Sequence, residues 1–360
     1  MTILYILIAV LMFGALIAIH EFGHFIAAKS LGVRVNEFAI GMGPKLLSRE
    51  RGETVYSLRA FPIGGFCAME GEGEDSDDPR AFGSKPAWKR LIILAAGAFF
   101  NFVAGVLVIL FLFAQTEGIV APVVRGYMSG AEDLQAAGLL PGDRIYRVDG
   151  HRIYFNSDAL LYLSRAGDVV DLEVERNGER VALDAFSIPV RTLVDENGNT
   201  VQKRGIYIGV AEEVGLAGRL QYAWYQAVDY VRMVWLSLGD LLTGAVGVRD
   251  MSGPIGIVDM MGEMGQAGAR AGGFAGAARN ILEFVSFIAI NLAVMNLLPI
   301  PALDGGRIFF LAVDGVSMLL FRRKVPEKYQ AAVNAACFVA LMGVMVLVTL
   351  KDVGMLFGAF

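Results

Sequence analysis

His20, Glu21 and His24 stand together as His-Glu-Phe-Gly-His near the end of an apolar run. On a helix, positions four apart project from one face, so the two imidazoles can share a metal ion. Neutral imidazoles suit Zn²⁺, and Glu21 is placed to take a proton from a water that the metal activates. Imidazoles and charges are costly in hydrocarbon and mark a functional site by default. Two of the three histidines in the chain fall in this motif, which weighs against a chance match. Catalytic zinc usually takes three protein ligands and keeps one position open. Asp304 is the best candidate for the third. It follows Pro299 and Pro301, which break an apolar run, and precedes Gly305 and Gly306. Irregular backbone at membrane depth is tolerated only where protein or a cavity covers it, and an acid there calls for a cation. His151, in a polar turn, and Cys67, among apolar residues, are weaker candidates.

The elements that must position these groups are membrane helices. The 360 residues are 55% hydrophobic and 19% charged, with a mean hydropathy of +0.54. That is too apolar for an ordinary soluble chain. Apolar runs at about 3–24, 88–113, 280–298 and 330–350 each approach the ~20 residues a spanning helix needs. The start has no basic segment or small-residue cleavage site, so it reads as a retained helix. Lys and Arg crowd the stretch between the first two runs, and Arg307, Arg322, Arg323, Lys324 and Lys328 precede the last. By the positive-inside rule both stretches are cytoplasmic, which leaves both termini outside. Seventeen residues separate Ile3 from His20, roughly 26 Å of helix in a core of about 30 Å, so the metal sits within the membrane toward its cytoplasmic side. Residues 221–243 carry a polar stripe beside an aromatic face and read as a helix lying in the interface. A fifth span there would also carry Asp304 to the wrong leaflet. A net charge of −5 and no long basic run argue against nucleic acid as a partner. Cys67 and Cys337 read as two buried thiols.

The insert at about 116–211 alternates short apolar segments with turn signals at Pro141-Gly142-Asp143, Asp149-Gly150 and Asn177-Gly178. Asn-Gly is a strong hairpin signal. The insert resembles a PDZ domain, most closely across Gly138–Ile153, a fold that captures peptides by strand addition. The expected fold is an α-helical polytopic membrane protein of about four transmembrane helices. It carries a membrane-associated β-hairpin region and an inserted α+β PDZ-like domain. The expected order is a first span at 1–28 with the zinc motif, a cytoplasmic loop at 29–87 with the β-rich segment, and a second span at 88–113. The extracytoplasmic domain follows at 116–211, then an interfacial helix and connecting loop at 212–278. A third span at 279–304, a cytoplasmic loop at 305–329 and a fourth span at 330–351 complete the chain.

His-Glu-Phe-Gly-His, Gly-Met-Gly-Pro and Phe-Pro-Ile-Gly-Gly-Phe in the first loop, Ser-Gly-Pro-Ile-Gly-Ile at 252–257 and Asn-Leu-Leu-Pro-Ile-Pro-Ala-Leu-Asp-Gly-Gly at 296–306 together resemble the site-2 proteases. These are intramembrane zinc metalloproteases, and a single PDZ-like domain is most similar to the bacterial RseP/RasP type. The resemblance implies one Zn²⁺ per chain held by His20, His24 and Asp304, with Glu21 as base. It also implies that Asn291 and Asn296 help bind substrate or the reacting carbonyl. Hydrogen bonds between helices are the alternative, and Asn296, three residues before Pro299 and close to Asp304, is better placed for substrate than Asn291. It implies a bacterial inner-membrane enzyme that cleaves single-span proteins already trimmed outside, such as anti-sigma factors or remnant signal peptides. Trimmed ectodomains or peptide termini would meet the PDZ-like domain. Residues 52–69 are β-rich and suited to lending an edge strand to unwound substrate, because bare backbone in a bilayer needs partners. A PDZ-bearing membrane chaperone with an inert core, or a zinc carrier, are the rival readings. The intact polar quartet speaks against the first, and the lack of a His-rich or acidic path against the second.

Overall fold

A computed structural model of the chain describes residues 2–72, 76–116, 118–194, 200–247, 251–323 and 325–356. Met1 and Lys324, read above as part of a span and of a basic loop, lie outside these. The chain forms two compact units, one of residues up to Leu112 together with those from Gln226 onward, the other Phe113–Tyr225.

The first unit opens with α1 (Thr2–Ser30). It continues into β1 (Val35–Arg51) and β2 (Thr54–Met69), then α2 (Ala87–Ala114). Each long strand bends at mid-length, where Gly41, Gly43 and Gly64 take positive φ that a side chain would resist. Four runs therefore lie side by side. Phe38 pairs with Cys67 on one side and Tyr56 on the other, while Tyr56 also pairs with Arg49. Residues 65–69 thus form an outer edge. Arg59 and Lys45 both reach Glu37 and fasten the bends to the base of the sheet. Burial would raise the Glu37 carboxyl, yet hydrogen bonds from Ser57, Arg59 and Lys45 hold it down at about 2.

The second unit is built on a six-stranded sheet. Its strands are β3 (Gly118–Tyr127), β4 (Arg144–Val148), β5 (His151–Arg152), β6 (Val169–Arg176), β7 (Glu179–Ser187) and β10 (Ile206–Glu213). The order is β10-β3-β4-β6-β7, with β5 on β4. The short α3 (Asp133–Ala136) lies between β3 and β4 in the chain, α4 (Asn156–Arg165) packs against β3, β4 and β10, and β8 (Arg191–Val194) pairs with β9 (Thr200–Lys203). Asn177 and Gly178 both have positive φ, the geometry of the two-residue turn joining β6 to β7. Asp143 is buried and holds Arg176 through two 2.7 Å contacts, while its carboxylate also accepts the Leu140 amide.

The chain then runs through α5 (Leu216–Thr243) into α6 (Pro254–Leu297), α7 (Asp304–Phe321) and α8 (Glu327–Leu356). Gly272 and Gly273 leave helical geometry and fold α6 into two arms. The arms touch where Gly268 meets Gly276, too closely for any side chain, and Asn280 donates to the Met264 carbonyl. Met261 from one arm and Phe284, Ile288 and Ala289 from the other close on Ala9, Met12 and Leu16 of α1. Among the described residues, four helices are long and apolar enough to cross a membrane: Ile6–Ser30, Ala87–Ala114, Pro254–Leu297 and Lys328–Gly354.

Two stretches expected as loops are helical. Residues 254–271, placed in a connecting loop, form the first arm of α6, begun by Pro254 in the first turn where its missing N–H costs nothing. Residues 305–321, placed in a cytoplasmic loop, belong to α7. There Gly305 and Gly306 act as close-packing residues rather than breakers, since a Cβ on Gly306 would lie 2.7 Å from Pro301 Cα.

Candidate active site

Gly23 is what lets α1 meet α2. A Cβ on it would lie 2.5 Å from the Ala96 carbonyl oxygen, so the backbones approach as only small residues allow. Gly97 answers from α2. Its missing side chain leaves room for both imidazoles, because a Cβ there would lie 2.8 Å from His20 Nε2 and would collide with His24 Nε2. His24 Nδ1 is 2.8 Å from the Ile93 carbonyl, so it carries the proton and leaves a bare lone pair on Nε2.

Asp304 arrives from the other side on the first turn of α7, after the irregular residues 298–303. Its Oδ2 lies 3.0 Å from His20 Nε2 and 3.3 Å from His24 Nε2, while the two Nε2 atoms are 3.1 Å apart. Ligand atoms at about 2.0–2.1 Å from a tetrahedral zinc are roughly 3.3 Å from one another. The three donors match that spacing. Oδ2 is buried and has no hydrogen-bond partner. Lone pairs facing one another without a shared proton repel, and a cation resolves the arrangement. Among the described residues this is the one group of three donors able to hold a metal ion.

Glu21 projects toward the hairpin, where a Cβ on Gly65 would lie 3.6 Å from its Cγ and its carboxylate is within reach of the backbone N–H of Cys67. It shares a cavity of about 370 Å³ with the three donors, and residues 66–69 of the sheet edge form one wall. Asn296 Nδ2 lies 3.4 Å from His20 Nδ1. Asn291 is five positions earlier, about 140° around the helix at 3.6 residues per turn, so it faces elsewhere and is half-buried. His151 belongs to the second unit, where its ring stacks on Tyr162. Both cysteines are free, but only Cys67 is buried; Cys337 is half-exposed on α8, contrary to expectation.

The profile of peptidase family M50 matches residues 8–344. The chain belongs to that family. It is therefore a metallopeptidase by descent, and its four long apolar helices make it a multi-pass membrane protein. A Clostridium perfringens protein, named provisionally as a zinc metalloprotease, is 37% identical over 97% of this chain and 98% of its own. The zinc metalloprotease RasP of Shouchella clausii is 28% identical over 96% and 97%. The regulator of sigma-W protease RasP of Bacillus subtilis is 26% identical over 97% and 98%. The M50 membership is the resemblance that the His-Glu-Phe-Gly-His and Leu-Asp-Gly-Gly motifs carry.

Gly97, the Ile93 carbonyl, the Cys67 amide, Glu72 and Arg307 also belong to this M50 cavity and its supports. Backbone groups leave no mark in a sequence. Gly97 sits in Leu-Ala-Ala-Gly-Ala, which reads as an ordinary run of small residues in a membrane helix.

Proposed function

We propose that this chain is an intramembrane zinc metalloprotease that cleaves the membrane segments of single-span proteins. The observation that carries the reading is the convergence of His20 Nε2, His24 Nε2 and Asp304 Oδ2 at zinc-ligand spacing beside Glu21. His20, His24 and Asp304 would hold one zinc, which would supply a Lewis acid for the scissile carbonyl and for a water. Glu21 takes the proton of the attacking water and returns it to the leaving amine. The Cys67 N–H aims the Glu21 carboxylate. His20 needs a proton on Nδ1 to keep its Nε2 lone pair for the metal, and the Asn296 amide, whose Nδ2 faces Nδ1 in the structure, supplies the acceptor once turned so that its oxygen takes that place. Asn296 is thus assigned to orienting His20 and, next to the cavity, to meeting the reacting carbonyl. Asn291 is assigned to the substrate path above it.

Substrate enters as extended chain along residues 65–69. Among the described residues that run pairs only with 35–40, so no other strand occupies its outer edge, where a substrate strand can add. Unwound backbone in a bilayer needs such partners. The charge distribution supports both termini outside, the hairpin on the cytoplasmic side and the Phe113–Tyr225 unit outside. That unit is read as PDZ-like, its role to exclude untrimmed ectodomains or to dock trimmed ends. Anti-sigma factors and remnant signal peptides are the substrate classes that fit, one relative being named a regulator of sigma-W. Cleavage of a model single-span substrate by purified protein in liposomes, with Glu21→Gln as control, tests the assignment.

A further inference from the structure

The cavity holds two charged groups with no part in the chemistry above. Glu72 and Arg307 both line it, and they form an ion pair with each other. Their places in the fold are unusual for a surface pair. Arg307 is three positions after Asp304, so both project from the same face of α7's first turn. That turn cannot yield: a Cβ on Gly305 would lie 2.5 Å from the Leu297 carbonyl carbon, and Gly306 is wedged against Pro301. Glu72 follows the edge run 65–69 by three residues. The chain there is pinned by Glu70, whose amide donates to Arg34 and whose carbonyl accepts from Phe82. The pair therefore ties the end of the free strand edge to the turn carrying the third metal donor, across 235 positions of sequence.

We propose that Glu72 and Arg307 form a strut that sets the spacing between the substrate-presenting edge and the metal, and so selects which peptide bond is cut. The proposal rests on the strand-addition and zinc-protease reading above. Half of the Arg307 side chain remains exposed, and pairs of that kind add little to stability. Position is another matter. A displacement near 1 Å at a reacting centre can lower a rate on the order of a hundredfold. A substrate strand also changes register in whole residues, so a loosened strut moves the cut to a neighbouring bond or spreads it over several.

The test uses full-length protein in liposomes with a model single-span substrate, its products mapped by mass spectrometry and its zinc content measured. Glu72→Gln and Arg307→Gln should each keep zinc, lower kcat on the order of tenfold, and broaden or shift the cleavage position. The exchanged pair Glu72→Arg with Arg307→Glu should return most cleavage to the wild-type bond. Wild-type position and rate in both single variants would overturn the strut. So would loss of zinc in the single variants without recovery in the exchanged pair, since the pair would then only hold the fold. Unimpaired cleavage by Glu21→Gln in the same assay would instead strike the protease reading itself, so the two failures are told apart.

Discussion

Gly97 of α2 lies against His24 of α1 so closely that a methyl group in its place would strike the imidazole Nε2, and would sit 2.8 Å from His20 Nε2 as well. The proposed metal donors thus depend on an atom that is absent. Gly97→Ala should strip zinc from the purified protein and abolish cleavage, though alanine is the better helix former. Gly315→Ala on α7, where a Cβ meets nothing within 4 Å, is the control and should keep both.

His20→Ala, His24→Ala and Asp304→Ala should each lose most of the bound zinc, measured by metal analysis of protein in detergent. Asn291→Ala should keep it. Full zinc occupancy in Asp304→Ala would remove that carboxylate from the ligand set.

Much of this was readable because membrane helices announce themselves by hydropathy and the donor pair by its spacing of four. Asp304 was readable because prolines and an acid in an apolar run need a reason. The helices at 254–271 and 304–321 were not. The first is rich in glycine, alanine and charge and resembles a linker. The second starts with Asp-Gly-Gly, and its apolar stretch is short and flanked by Arg307 and Arg322. Both contain glycines in close contacts that composition does not announce, Gly268 against Gly276 across the fold of α6, and Gly305 and Gly306 against residues 297–301 just before them. The edge run 65–69 was legible only as part of a longer β-rich stretch, since the bends that leave it outermost arise from register.

Glu37 should govern the hairpin's response to acid. Its folded-state carboxyl lies near 2, below the ordinary 4.5, so its contribution is present above 4.5 and is lost as pH falls toward 2. Amide exchange across residues 35–58 should show protection in wild type, relative to Glu37→Gln, that shrinks over that interval. A difference independent of pH would mean that the carboxylate's charge is not what matters.

Orientation is tested with single cysteines in a protein lacking Cys67 and Cys337. An impermeant maleimide should label Glu179→Cys in intact cells, and Asp77→Cys only after permeabilisation. Outside labelling at Asp77 would reverse the topology and the depth assigned to the metal.

Gly118 pairs with Glu213 across β3 and β10, so the chain enters and leaves the sheet at adjacent positions and residues 119–211 can be replaced by a short flexible linker. The remaining protein should still cut, because every residue assigned to chemistry lies in the first unit. Untrimmed substrate should be cleaved more than by wild type. Unchanged selectivity with intact activity would favour a bystander or partner-docking role over exclusion.

Glu21→Gln tests the central claim most directly. Glutamine has nearly the same shape and can still accept the Cys67 N–H, so zinc should remain and substrate should still bind. It cannot take a proton from water, and general base catalysis is worth typically 10²–10⁴-fold. Purified Glu21→Gln should therefore hold wild-type zinc, retain uncut single-span substrate and cleave it at least about a hundredfold more slowly. Cleavage at the wild-type rate would contradict the account.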